Sequence, residues 1–146
     1  MILEMLRGVT MGLDVYARGL SDEASFSCGY LTYGSCLMKL CDTAYGDEMG
    51  DIYRRMCFTI GSKVTQEEID YWNGHCNDDL DLLLFHSDCD GKFTPKECRR
   101  IYNAIKDLKM DMQGHNYGVM EPYNMLEHWK AMFKHCADRR VNMYYG

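Results

Sequence analysis

The chain has no surplus of basic residues: 16 Lys and Arg stand against 22 Asp and Glu, a formal charge of −6 in 146 residues. A dedicated duplex-DNA binder normally presents a basic surface that releases counterions, so nucleic acid is not expected as a partner. Its eight cysteines, at positions 28, 36, 41, 57, 76, 89, 98 and 136, form no Cys-x-x-Cys pair. That removes the strongest signatures of zinc knuckles and dithiol redox centres, and leaves most of these thiols as small buried hydrophobes. No apolar run reaches membrane-spanning length, the longest being Leu82-Leu83-Leu84-Phe85, so no membrane partner is expected. The opening Met1-Ile2-Leu3-Glu4-Met5-Leu6-Arg7 has no basic region followed by an apolar stretch, which points to a cytoplasmic protein with reduced thiols. Internal repeats and low-complexity tracts are also missing.

What is present suffices for one domain with a real core. Its charge is unevenly spread. Glu67, Glu68, Asp70, Asp78, Asp79, Asp81, Asp88 and Asp90 fall in residues 65–90, which hold no Lys or Arg, and Lys92, Lys96, Arg99, Arg100, Lys106 and Lys109 follow at once. Two surfaces of opposite sign could meet charged partners, although such runs also make ordinary solvated helix faces.

The patterning predicts a mainly helical α+β domain over residues 11–146 with a small sheet, its strands near 12–18 and 80–86. Leu13, Val15 and Ala17 alternate with Asp14, Tyr16 and Arg18 up to Gly19, as in a half-buried strand. Residues 21–27 read as a polar loop. Leu37, Leu40, Cys41 and Ala44, then Met49, Ile52, Tyr53, Met56 and Ile60, recur at helical spacing on either side of Gly46. Thr65-Gln66-Glu67-Glu68 is a capping box opening a helix that carries Ile69 and Trp72. The run 82–85 fits a strand covered on both faces and paired with 13–18. Cys98, Ile101, Tyr102, Ile105 and Leu108 form a helical stripe; residues 114–122 read as loop; Tyr123, Leu126, Trp129, Phe133 and Cys136 stripe a last helix. Residues 1–10 carry no periodic pattern and read as a non-native or disordered extension, with Met11 as the natural start.

Chemistry concentrates in one stretch. With Gly91 at the sixth position of a twelve-residue calcium loop, Asp88 falls at three, Asp90 at five, Phe93 at eight, Thr94 at nine and Glu97 at twelve. Position one holds His86, where a hard cation prefers Asp. The metal ligands on this reading are His86, Asp88, Asp90 and Glu97, and the cofactor a divalent ion, calcium, magnesium or zinc. A softer site would use His86, Cys89 and Cys98, with His75-Cys76 or His135-Cys136 as a distant fourth ligand. Asp14 could orient His86 if the two strands were neighbours. The same residues also have a purely structural reading: Thr94 as N-cap, Pro95 at N1 and Glu97 at N3 form a helix start, with Gly91 supplying the turn. No catalytic residue is assigned.

Met11-Gly12-Leu13-Asp14-Val15-Tyr16, and His86-Ser87-Asp88-Cys89-Asp90-Gly91 with Pro95-Lys96-Glu97-Cys98, resemble a set of small uncharacterised phage and bacterial proteins. These begin Met-Gly-Leu-Asp and carry a His-Ser-Asp-Cys-(Asp/Glu)-Gly turn. The resemblance implies a cytoplasmic, mobile-element type of protein starting at Met11, and brings no activity with it. The expectation is therefore a protein that acts by binding a host protein, with a metal-stabilised loop at 86–97. The alternative is a metal-dependent enzyme of hydrolase type centred on His86, Asp88 and Glu97.

Overall fold

The computed structural model describes residues 12–19, 26–59, 61–86, 91–110 and 122–145. The extension 1–10, most of the loop expected at 21–27 and the loop expected at 114–121 lie outside these residues. In chain order the elements are β1 (Gly12–Ala17), β2 (Phe26–Gly29), α1 (Tyr30–Tyr45), α2 (Asp47–Cys57), α3 (Gln66–His75), α4 (Asp78–Leu84), β3 (Gly91–Phe93), α5 (Pro95–Ile105), α6 (Pro122–Arg139) and β4 (Met143–Tyr145). The architecture is α+β and mainly helical.

The strands form one antiparallel sheet in the order β2-β1-β4-β3. Its register sets Ala17, Met143 and Phe93 in one row and Tyr16, Tyr144 and Lys92 in the next. Because side chains alternate across a strand, these rows face opposite ways. Phe93 and Met143 are buried, and Phe93 meets Phe133 of α6 edge-on at 5.3 Å between ring centres. Tyr16 and Tyr144 are exposed. Helices therefore cover one face of the sheet, with Leu126, Trp129, Phe133 and Cys136 of α6 and Cys98, Ile101 and Ile105 of α5 all buried, as their spacing predicts.

The strand expected near 80–86 is a helix, and the partners of β1 are β2 and β4. Asn77 caps α4, its Oδ1 accepting from the Asp79 N–H at 2.9 Å, and Asp78, Asp79 and Asp81 occupy the positive end of the helix. Leu80, Leu83 and Leu84 then fall at i, i+3 and i+4 and are all buried. An apolar run of four cannot separate strand from helix by period; the cap and the acidic first turn decide it. Strand β2 begins at Phe26, inside the expected polar loop, while β3 and β4 are three-residue strands that pairing alone defines.

Helices α1 and α2 break at Gly46, as expected, where φ is 90°. Helix α4 is fixed to α1, α2 and α3 by aromatic side chains. The buried Tyr53 hydroxyl donates to the Leu84 carbonyl at 2.6 Å, satisfying a group the helix end leaves unpaired. The Tyr45 hydroxyl donates to Asp81 Oδ1 at 2.8 Å, and Trp72 Nε1 donates to Asp81 Oδ2 at 3.0 Å.

Candidate functional site

The stretch 86–97 lies between two helices, with a short strand just before the second. Helix α4 ends at Leu84, β3 runs from Gly91 to Phe93, and α5 begins at Pro95. Phe93, at position eight of the loop pattern, is buried and anchors the turn to the core. Both ends of the turn have defined partners. At the start, His86 Nε2 donates to the Lys92 carbonyl at 3.1 Å, and its ring lies 4.1 Å from the Phe93 ring. Burial holds the His86 pKa below its usual value, opposed by the Lys92 carbonyl and the Glu97 charge.

At the far end the capping box forms as predicted. Thr94 N donates to Glu97 Oε1 at 2.9 Å, Glu97 N donates to Thr94 Oγ1 at 3.3 Å, and Pro95 occupies the first helical turn. Ser87, Asp88, Cys89 and Asp90 lie outside the described residues. Of the four candidate ligands, His86 and Glu97 are thus placed, and Glu97 Oε1 serves the cap.

Of the alternative thiol set, the described residues bring Cys98 and Cys136 together and leave His75 on α3. Cys98 is fully buried, its Sγ donating to the Phe93 carbonyl at 3.9 Å. Its partner is the buried Cys136 thiol, which together with burial pushes the Cys98 pKa up. His135 Nε2 donates to the Arg18 carbonyl at 3.0 Å. His75 stacks on Tyr71 at 4.0 Å, away from this turn in chain and helix. Asp14 cannot orient His86 as a strand neighbour, since β4 separates β1 from β3. Among the described residues no three His, Cys, Asp or Glu side chains converge on a metal position.

The acidic and basic stretches touch at one ion pair, and two further members of them pair with residues outside both. Arg100 Nε donates to Asp79 Oδ1 at 2.6 Å, and Arg99 pairs with Asp138. Arg55 bridges Asp51 and Glu68. Periodicity did not flag two other surfaces. One is a groove of about 330 Å³ between α2 and α3, lined by Glu48, Asp51, Arg55, Glu67, Glu68 and Tyr71 around Ile52. The other is the open sheet face, where the Tyr16 and Tyr144 rings lie 5.8 Å apart and 24° from parallel. The alternation in β1 placed Tyr16 outward, but its neighbour is a strand that the sequence did not announce.

Among the described residues no helix is long and apolar enough to cross a membrane. No protein family, characterised protein or solved structure matches the chain. What the protein does must be argued from its own residues.

Proposed function

We propose that this is a small binding protein of phage or mobile-element type, acting on a host protein, whose 86–97 turn takes a divalent cation. One observation carries the cation reading: the turn is entered by α4 and left by α5, with a short strand and a buried Phe93 at position eight. A calcium loop needs that frame, and a strand before the turn would have withheld it. In this reading Asp88, Asp90 and Glu97 supply carboxylates that offset the dehydration of the ion. His86 contributes at position one, its Nε2–H held by a backbone carbonyl as ligand histidines commonly are. Glu97 then shares its carboxylate between the ion and the Thr94 cap.

The turn is read as a binding element rather than a catalytic centre. The nearest described thiol, Cys98, is buried and kept protonated, so it offers no nucleophile. The test is thermal unfolding of the whole chain with calcium, magnesium and zinc supplied separately. An ion at about 100 times its Kd stabilises the fold by roughly 2.7 kcal/mol, and Asp90→Asn should abolish that gain. A melting temperature indifferent to millimolar calcium and magnesium and to micromolar zinc would leave the segment a well-capped turn.

A further inference from the structure

The open sheet face combines two features that the rest of the molecule does not. Tyr16 is 55% and Tyr144 40% exposed, two of the three large hydrophobic side chains that stand out into solvent among the described residues. They are cross-strand neighbours in one row with the exposed Lys92. Near-parallel rings on a sheet surface form a platform on which flat groups can stack. Asn142 Nδ2 donates to the Tyr144 hydroxyl at 3.2 Å, which fixes the orientation of the second ring from within the same loop and strand.

The second feature is charge. The row Ala17–Met143–Phe93 marks one end of the sheet, where β1 and β3 finish and β4 begins. Arg18 follows β1 directly, Arg140 stands three residues before β4, and Lys96 three residues after β3. Arg140 is held in place by a left-handed backbone, φ 56°, with the Val141 N–H donating to the Cys136 carbonyl at 3.1 Å. Among the described residues none of Arg18, Lys92, Lys96 and Arg140 makes an ion pair, whereas Arg54, Arg55, Arg99, Arg100 and Lys134 all do. Lys92 thus stands in the exposed aromatic row itself, and Arg18, Lys96 and Arg140 lie close in sequence to one end of the sheet.

We infer that this face binds single-stranded nucleic acid, with Tyr16 and Tyr144 stacking bases and Lys92, Arg18, Lys96 and Arg140 taking backbone phosphates. Aromatic rings accept any base because every base has a π face, and a cationic margin tracks the backbone. Net charge argued against nucleic acid, and ion pairs do not alter that total; what favours binding is where Lys92 and its neighbouring cations stand, not the sum. A duplex hides its base faces and gains nothing from the rings, so the selectivity is for single strands. This goes beyond the cation reading and does not depend on it.

The test is fluorescence anisotropy of a labelled twelve-nucleotide oligothymidine with the full chain. For about four phosphates, affinity should fall roughly fiftyfold between about 50 and 200 mM salt. Tyr16→Ala and Tyr144→Ala should each weaken binding at least about fivefold, while Tyr16→Phe and Tyr144→Phe, which keep the ring, should bind as the parent does. Lys92→Gln should reduce the magnitude of the logarithmic salt slope by about 0.7, whereas Lys63→Gln, remote from the sheet, should leave it unchanged. Circular dichroism confirms the fold of each variant. No measurable binding at low salt, equal affinity for duplex, or indifference to both Tyr→Ala changes would overturn the inference. A dimer that Tyr16→Ala dissociates, with no oligonucleotide bound, would overturn it too and assign the face to a second copy.

Discussion

Replacing Gly50 with Ala tests how closely α1 and α2 are packed, because two effects of opposite sign act at one atom. In an ordinary helix interior the change stabilises by about 1 kcal/mol, as Gly loses more backbone freedom on folding than Ala. Here the added methyl would overlap the Asp42 carboxylate, coming within 2.9 Å of its Cγ and 3.5 Å of Arg54 Nη1. Asp42 would have to swing away and release Arg54. The side chains of that pair are 18% and 41% exposed, so solvent screening limits its loss to about 1 kcal/mol. Forcing a methyl into an occupied position adds about 1–3 kcal/mol. Set against the helix gain, the net is a destabilisation of about 1–3 kcal/mol, or a melting temperature lower by roughly 3–10 °C for a chain of this size. Asp42→Ala removes the obstacle, so Gly50→Ala made in that background should stabilise by about 0.5–1 kcal/mol. Urea unfolding of the four proteins gives the cycle. The reasoning fails if Gly50→Ala has the same sign in both backgrounds.

Three further outcomes follow from other contacts. Thr94→Ala should cost about 0.5–2 kcal/mol in denaturant unfolding, while Glu97→Gln should be nearly silent without added metal, since the amide oxygen can still accept from the Thr94 N–H. With a cation bound, Glu97→Gln should erase the ion-induced stabilisation, because an amide cannot supply two anionic oxygens. The Arg55 guanidinium, with help from the Thr65 N–H, holds the Glu68 pKa down to about 2. A lowered carboxylate pKa contributes stability above its unfolded value, near 4.3, and loses it as pH falls. The stability gap between the parent and Glu68→Gln should therefore close between about pH 4 and about pH 2. Alkylation of the native protein read by mass spectrometry should reach Cys76 before the other five described cysteines, all of which are buried; rapid labelling of Cys98 or Cys136 would contradict the packing of α5 on α6.

The sequence by itself determined what depends on neighbouring residues. Both capping boxes, Thr65 with Glu68 and Thr94 with Glu97, form because their hydrogen bonds span three residues. The break at Gly46, the buried stripes of α5 and α6, and the outward Tyr16 of β1 were legible for the same reason, since each is a period or a turn written locally. Tertiary structure decided most of the rest. Leu82 to Phe85 read as a strand because four apolar residues suit either element; the Asn77 cap was a local signal left unread, while the Tyr53 hydroxyl on the Leu84 carbonyl, which secures the helix end, comes from a distant helix. That outcome gave the candidate loop the entering helix it had lacked. Strands β3 and β4, each of three residues, have too little pattern to announce themselves and exist because β4 returns between β1 and β3. The same return placed Tyr144, 128 positions along the chain from Tyr16, beside it on the open face. Local spacing fixes caps and periods, but which distant residues share a surface is set by the pairing of strands, and the exposed pair of Tyr16 and Tyr144 is made that way.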